Sequence, residues 1–113
     1  MNCLFCKIAE KEIPSKIVYE DEHVLAFEDI NPQAPVHILV IPKKHISTSL
    51  EIKSMDNELI GCMFQAANTI AKEKDIAERG FRLVMNCNHE SGQTVFHIHL
   101  HLLGGRIMHW PPG

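Results

Sequence analysis

Three histidines near the end of the chain, His97, His99 and His101, alternate with single apolar residues. Side chains alternate between the two faces of a β-strand, so we expect the three imidazoles to lie on one face. A neutral imidazole carries a free nitrogen lone pair near pH 7, and it can therefore attack an electrophile or bind a metal ion. The array indicates a metal site or a histidine nucleophile with orienting neighbours, with a solvent-exposed polar face as the third interpretation.

A polar loop precedes these histidines and contains Gly92, Gln93 and Thr94. Gly92 can adopt backbone conformations that other residues avoid, and it allows a ligand to approach the backbone closely. The backbone amides of Gln93 and Thr94 are candidates to point at a phosphate, and Thr94 adds a hydroxyl near the reacting groups. Beside a histidine array, this loop indicates an anion-binding site.

A second constellation lies at the start of the chain, where Cys3 and Cys6 form a Cys-x-x-Cys pair. No basic segment followed by a long apolar one is visible there, so we expect a cytoplasmic protein without a signal peptide. In such a protein cysteines serve more often as thiols or metal ligands than as disulfides. By itself the pair leaves zinc binding, a redox dithiol and no function open.

The composition limits the possible partners. The 113 residues fit one domain, and 45% hydrophobic with 22% charged residues is typical of a globular protein. A net charge of -3 argues against binding nucleic acid through bulk electrostatics. The apolar runs are a few residues long, whereas a membrane span needs roughly 20. We therefore expect neither nucleic acid nor a membrane among the partners.

Two helices and five strands are predicted around these groups. A short helix over residues 3–10 ends before Pro14, and a long helix begins after its N-cap Asp56 and stops at Gly80. Short strands with one long helix inserted predict an α+β fold with a mainly antiparallel sheet. The predicted strands cover residues 16–20, 23–28, 37–41, 81–86 and 95–103.

The sequence resembles the histidine triad (HIT) family, whose signature is His-φ-His-φ-His-φ-φ with φ apolar, and all seven positions from 97 to 103 match. The blocks at 29–37 and 41–45 and the ending at 104–113 are similar to the Hint branch, the histidine triad nucleotide-binding proteins. The resemblance covers essentially the whole chain. It implies a single HIT domain over residues 1–113 and a homodimer in which two five-stranded sheets form a ten-stranded one.

The activity that the resemblance implies is hydrolysis of nucleoside phosphoramidates, purine nucleoside monophosphates such as AMP or GMP that carry an amine. His99 would attack the α-phosphorus and form a covalent nucleotidyl-histidine intermediate that water hydrolyses. His101 would contact the phosphate, Thr94 would lie near the leaving group, and His37 would support the nucleophile.

The same resemblance implies a nucleotide site. Asp29 would accept hydrogen bonds from the ribose hydroxyls, while Asn86, Gly92 and Gln93 would hold the phosphate. The apolar residues that match the family's purine slot are Phe5, Ile8, Phe27, Ile30 and Leu39.

A structural zinc ion is implied by similarity to bacterial members, with Cys3, Cys6, His45 and His97 as ligands. Two thiolates and two imidazoles complete a tetrahedral set without an open position, so such a zinc would be structural rather than catalytic. We expect no organic cofactor.

Two alternatives remain at this stage: a metal-dependent hydrolase that uses the three histidines, and a non-catalytic purine nucleotide-binding module. For the dimer, the resemblance implies that the long helix with Leu59, Met63 and Ile70 lines the interface. It also implies that Trp110 crosses to the partner's active site.

Overall fold

The computed structural model describes residues 2–113, and it contains two α-helices and one five-stranded sheet. Short 3-10 turns lie at Ser49–Glu51, Ser54–Asp56 and His89–Ser91. The main elements are α1 (Leu4–Ala9), β1 (Ile17–Glu20), β2 (Val24–Glu28), β3 (Val36–Pro42), α2 (Asn57–Glu73), β4 (Phe81–Val84) and β5 (Leu100–Gly104).

The sheet has the strand order β1-β2-β3-β5-β4, and every neighbouring pair is antiparallel. This arrangement confirms the predicted α+β class with one long and one short helix. Because β5 pairs with the central strand β3, His101 lies opposite Leu39 and His37 lies opposite Leu103. The topology therefore brings the histidine array next to the block that contains His37.

Both faces of the sheet are covered at its centre, which explains the unbroken apolar run in β3. Ile38 and Val40 belong to the main core with α2, while Leu39 and Ile41 pack with Phe5 of α1 on the other face. A strand that is buried on both sides has apolar residues at consecutive positions.

Alternation also decides where the histidines lie. Ile98, Leu100 and Leu102 are buried in the core on the α2 side. The intervening His99 therefore faces α1, where its ring meets Phe5 edge-on with centroids 5.1 Å apart. The side chains of the three histidines therefore point to the same side of the sheet, as the sequence predicts.

The predicted extent of the fifth strand is wrong, because β5 begins at Leu100 rather than at residue 95. The ladder starts at Val40 opposite Leu100 and does not reach the end of β3. Pro42 has no amide to donate, and its carbonyl accepts a hydrogen bond from the His97 ring at 2.7 Å. The fourth strand consequently ends at Val84 rather than residue 86, since its partner strand is shorter.

The predicted start of the long helix is confirmed, because Asp56 is its N-cap residue, but the capping hydrogen bond and the predicted end need correction. The helix follows Asp56, but the carboxylate accepts from the Lys53 amide at 2.9 Å and the Lys44 ammonium at 2.6 Å instead of capping α2. The helix ends at Glu73, and Asp75 takes a left-handed conformation with φ 59°, which a short polar side chain tolerates. Gly80, with φ 105°, leads into β4 instead.

The residues of α2 that were expected at a dimer interface are largely used within the protein. Met63 and Ile70 are 0% and 1% exposed in the main core, and Leu59 is half-buried against it. The 17-residue α2 is amphipathic, and within residues 2–113 no helix combines the length and apolar character of a membrane span.

Candidate active site and metal cluster

A cavity of about 610 Å³ lies beside α1, and most of its wall is apolar. All five residues of the predicted purine slot line it, as do Asp29, Thr94, His99 and His101. Ile30 is fully exposed and therefore lies at the rim. An apolar cavity with a few polar groups is the usual form of a small-molecule site. The lining residues of the predicted slot are Phe5, Ile8, Phe27, Ile30 and Leu39.

His99 is oriented by the backbone of its own segment. Its Nδ1 lies 2.8 Å from the carbonyl oxygen of His97. A carbonyl can only accept a hydrogen bond, so Nδ1 carries the proton and Nε2 keeps the lone pair. Burial lowers the pKa of His99, although the hydrogen bond to His97 and the charge of Asp29 oppose this effect. His99 therefore presents a neutral imidazole with an unprotonated Nε2.

His101 has the opposite tautomer, which a chain of hydrogen bonds dictates. The backbone amide of Gln33 donates to Nδ1 of His37 at 3.0 Å, so His37 carries its proton on Nε2. That nitrogen lies 2.9 Å from Nδ1 of His101, which must accept. His101 therefore holds its own proton on Nε2 and can donate it to a ligand. The rings of His99 and His101 lie 5.0 Å apart.

Asp29 contacts the middle member of this chain, His37. Its Oδ2 lies 3.4 Å from Nε2 of His37, and its Oδ1 accepts the backbone amide of Asn31 at 2.8 Å. Asp29 also lines the cavity, as expected for a residue that binds ribose hydroxyls. The carboxylate is thus placed between the ligand space and the His37–His101 pair.

The electrostatics of this group favour neutral imidazoles. Burial, followed by the nearby His99 and His37, lowers the pKa of His101 to about 4. Burial also lowers the pKa of His37, and the charge of Asp29 only partly offsets it. At neutral pH His99 therefore offers a lone pair, and its neighbour His101 offers an N–H group.

The polar loop before the histidines is stabilised by Gln93. Its side chain accepts from the Asn88 amide at 2.7 Å and donates to the carbonyls of Ser47 at 2.9 Å and Val95 at 3.1 Å. Its backbone amide donates to the Asn88 carbonyl at 3.2 Å. Gln93 thus uses its amide within the loop, and its contact with a phosphate stays a prediction.

The other loop residues differ in their relation to the cavity. Thr94 lines it, whereas Asn86 and Gly92 are outside its lining. Gly92 has φ 90°, a left-handed conformation that favours glycine, and its amide donates to the His89 carbonyl. The predicted phosphate contacts of Asn86 and Gly92 likewise stay predictions.

The second constellation forms a compact cluster of Cys3, Cys6, His45 and His97, whose ligand atoms all lie within 4.8 Å of one another. Nδ1 of His97 is 3.3 Å from Sγ of Cys3 and 3.6 Å from Sγ of Cys6. Nδ1 of His45 is 3.4 Å from Sγ of Cys6. In a tetrahedral zinc site, sulfur and nitrogen ligands lie roughly 3.5 Å apart, so the four side chains fit a zinc ion.

The orientation of His97 supports a role as ligand. Its Nε2 lies 2.7 Å from the Pro42 carbonyl and must carry the proton, which leaves the Nδ1 lone pair facing the thiols. His97 is consequently unavailable to the cavity, and the interpretation that all three histidines bind one metal does not fit this geometry. Asp29, His37 and His101 also bring three possible ligand atoms together, but the hydrogen bond between the two histidines and the contact of His37 with Asp29 account for that proximity.

Sequence reasoning missed two contributions to the site. The Gln33 amide orients His37, but any residue except proline supplies an amide, so the residue type carries no signal. Ile13, between the predicted first helix and first strand, and Val95, at the start of the predicted fifth strand, also line the cavity. The sequence does indicate a turn over residues 29–35 through Pro32 and Pro35. This turn is the one signal that backbone groups in that segment have a fixed direction.

The fold and the site together define a histidine triad domain, and the HIT domain family matches residues 10–108. The chain belongs to this family. It is 52% identical over 103 residues to the purine nucleoside phosphoramidase of Escherichia coli strain K12, covering 91% of this chain and 87% of that protein. It is 51% identical over 112 residues to a 14 kDa zinc-binding protein of Zea mays, covering 97% and 87%.

A solved structure gives the same result for the fold. The HIT family hydrolase from Legionella pneumophila Philadelphia 1 superposes with a TM-score of 0.98 at 55% identity, covering 99% of this chain and all of that one.

Proposed function

We propose that the protein hydrolyses purine nucleoside phosphoramidates through a covalent nucleotidyl intermediate on His99. The observation that carries this proposal is the pair of opposite tautomers: His99 keeps a lone pair on Nε2, and His101 keeps a proton there. Both residues line one apolar cavity. The name of the Escherichia coli relative, a purine nucleoside phosphoramidase, supports the substrate class.

In the first step, Nε2 of His99 attacks the α-phosphorus while the bond from phosphorus to the amine nitrogen breaks. The departing amine takes up one proton from solvent, and His99 becomes a nucleotidyl-imidazolium that still holds its Nδ1 proton against the His97 carbonyl. His101 donates its Nε2–H to the phosphoryl group and stabilises the charge there. The lone pair of His99 thus forms the new bond to phosphorus, whereas the N–H group of His101 stabilises the charge on the phosphoryl group.

In the second step, water attacks the same phosphorus, loses a proton and releases the nucleoside monophosphate, which returns His99 to its neutral form. Two easier substitutions thus replace one difficult step. Thr94 lies near the leaving group, and Asp29 accepts from the ribose. Asn86, Gly92 and Gln93 complete the proposed phosphate side.

We also propose that Cys3, Cys6, His45 and His97 hold one structural zinc ion. The sulfur–nitrogen distances of 3.3, 3.4 and 3.6 Å support this choice, as does the name of the Zea mays relative. Four protein ligands leave no open position, so the zinc would stabilise the local fold.

A homodimer is the proposed assembly. β4 is an edge strand, and its four residues are only partly buried. Phe64 on the outer side of α2 is 42% exposed, and Trp110 is 82% exposed. Exposed apolar groups and an unpaired strand edge both suit a second copy, which would extend the sheet to ten strands.

The proposal is tested by incubating the wild-type protein with an AMP phosphoramidate and quenching in acid-free denaturant before intact-mass and peptide analysis. We expect release of the amine and an AMP adduct on the peptide that contains His99. His89→Ala, at an exposed histidine outside the cavity, is the matched control and should form the adduct. AMP binding without any hydrolysis would instead support a non-catalytic nucleotide-binding module.

A further inference from the structure

His97 connects the metal cluster to the proposed nucleophile through two different groups. Its side chain directs Nδ1 to Cys3 at 3.3 Å, and its backbone carbonyl accepts the Nδ1 proton of His99 at 2.8 Å. The carbonyl thereby determines which nitrogen of His99 is free to react. A shift of His97 would therefore also shift His99, because a single hydrogen bond connects the two residues.

Helix α1 makes a second connection. Phe5 lies between Cys3 and Cys6 in the sequence, lines the cavity, and contacts the rings of His97 and His99 edge-on at 6.0 and 5.1 Å. A six-residue helix is too short to be stable alone, so its position depends on its contacts. Those contacts are the cysteine–histidine cluster and the buried side chains of Phe5 and Ile8.

We infer that metal binding at this cluster and purine nucleotide binding in the cavity strengthen each other, because His97 and α1 belong to both sites. This inference rests on the proposed function. A bound metal holds α1 against the sheet in the position where Phe5 and Ile8 form the cavity wall. A bound nucleotide fills the cavity against the same side chains and keeps Cys3 and Cys6 near the histidines. The coupling is therefore positive, and it must have the same size in both directions.

The first measurement uses the wild-type protein in both metal states. Calorimetry gives the Kd for AMP with zinc bound and after zinc has been removed by a chelator. Competition with a chromophoric chelator gives the Kd for zinc without AMP and with saturating AMP. We expect zinc to tighten AMP binding by at least about fivefold and AMP to tighten zinc binding by the same factor.

A variant separates the route through α1 from a general effect. Phe5→Leu keeps all four metal ligands and an apolar wall but removes the ring that contacts His99. We expect one zinc per chain to remain and the coupling factor to fall towards one. Phe96→Leu is the matched control, since Phe96 is exposed and lies outside the cavity lining, and it should keep the wild-type factor.

The outcomes are distinguishable. AMP binding that is equal within twofold in both metal states would overturn the coupling and leave the proposed function intact. Failure of the zinc-loaded protein to bind AMP would overturn the proposed hydrolase function and this inference with it. Failure to bind zinc would overturn this inference and the proposed zinc site, and would leave the proposed hydrolase function intact. Loss of the β-sheet circular dichroism signal on zinc removal would overturn the local route, because nucleotide binding would then be linked to global unfolding.

Discussion

At the scale of single residues, the position of one proton on each imidazole distinguishes histidines that look equivalent in the sequence. His97, His99 and His101 all hold hydrogen bonds through Nδ1 or Nε2, but to a carbonyl, a carbonyl and an imidazole, respectively. A carbonyl partner requires a proton, whereas a donating imidazole requires a lone pair. In the proposed function, the three residues thereby serve as a metal ligand, a nucleophile and a donor.

His99→Ala should abolish turnover of an AMP phosphoramidate while AMP binding and the fold are kept. The variant removes the only attacking group of the proposed mechanism but leaves the apolar wall of the cavity in place. We expect kcat to fall at least a thousandfold, about 4 kcal/mol in the barrier. Steady-state kinetics and calorimetry check this result. Retention of more than about a tenth of wild-type kcat, a change under about 1.4 kcal/mol, would contradict the assignment.

The pH dependence of kcat should reflect the neutral form of His101. Because burial and its histidine neighbours lower its pKa to about 4, this group is neutral at pH 7 and gains a proton only as the pH falls towards that value. Protonation would remove the acceptor for His37 and add charge to the site. We expect kcat to be constant around neutral pH, with an acidic limb well below the ordinary imidazole value of about 6.5. A limb at or above that value in the wild-type profile is incompatible with this account.

His37 is a positioning residue, and its substitution should move that limb. In His37→Ala, the lost imidazole no longer lowers the pKa of His101, and the opened space reduces the effect of burial. We expect a lower kcat with an acidic limb displaced to higher pH. His37→Gln retains an amide that can donate to Nδ1 of His101 and should recover part of kcat. Equal profiles for the wild type and His37→Ala would show that the contact at 2.9 Å has no role in orientation.

At the scale of elements, the proposed zinc ion would attach α1 to the segments that follow β3 and precede β5. The double variant Cys3→Ser, Cys6→Ser should lose zinc and have a lower Tm. A metal at a hundred times its Kd stabilises a folded protein by about 2.7 kcal/mol. For a domain of this size the loss corresponds to a Tm decrease of about 10 °C. Metal analysis and thermal denaturation check both statements.

Cys62→Ser is the control for this variant, because Cys62 lies on α2 outside the cluster. It should keep one zinc per chain and nearly the wild-type Tm. If the double variant retained its Tm although zinc had been removed, the metal would have no structural role.

Most elements were predictable from the sequence because their hydrophobic pattern and their tertiary surroundings agree. The errors have tertiary causes. The β-branched and histidine-rich stretch after residue 95 has a strand pattern, but its partner strand ends at Pro42, so pairing begins only at Leu100. Asp56 does stand at the predicted N-cap position, yet it makes no capping hydrogen bond because Lys44 and the Lys53 amide occupy its oxygens.

The candidate site was predictable as a set of residues rather than as a geometry. The resemblance placed Cys3, Cys6, His45 and His97 together, and the structure brings them within ligand distance. The tautomers could not be read from the sequence, since they depend on the Pro42 and His97 carbonyls and on the Gln33 amide. Backbone groups are present at almost every position, so only their direction in the folded chain carries information.

At the scale of the whole molecule, one protomer leaves a sheet edge and a tail with exposed apolar groups. The tail from Ile107 onwards follows β5 closely and lies near β4, where the Arg82 side chain donates to the His109 carbonyl at 3.1 Å. Ile107 and Trp110 are 79% and 82% exposed. We expect light scattering at micromolar concentration to give twice the protomer mass of 12.8 kDa. A monomer mass under these conditions would rule out the dimer.

Deletion of residues 108–113 should change the preference for the leaving group without abolishing nucleotide binding. In the proposed dimer this segment reaches the partner's active site, where Trp110 would contact the amine side of the substrate, whereas α1 and the sheet form the cavity wall. We therefore expect kcat/KM to change unequally for phosphoramidates with large and small amines, while the Kd for AMP stays within about threefold, less than 0.7 kcal/mol.

Trp110→Ala should reproduce the effect in part, and Ile107→Ala, just before the deleted segment, is its matched control. A uniform change for all amines would mean that the tail contributes to stability rather than to recognition, and a tenfold loss of AMP affinity would mean that it belongs to the nucleotide site itself.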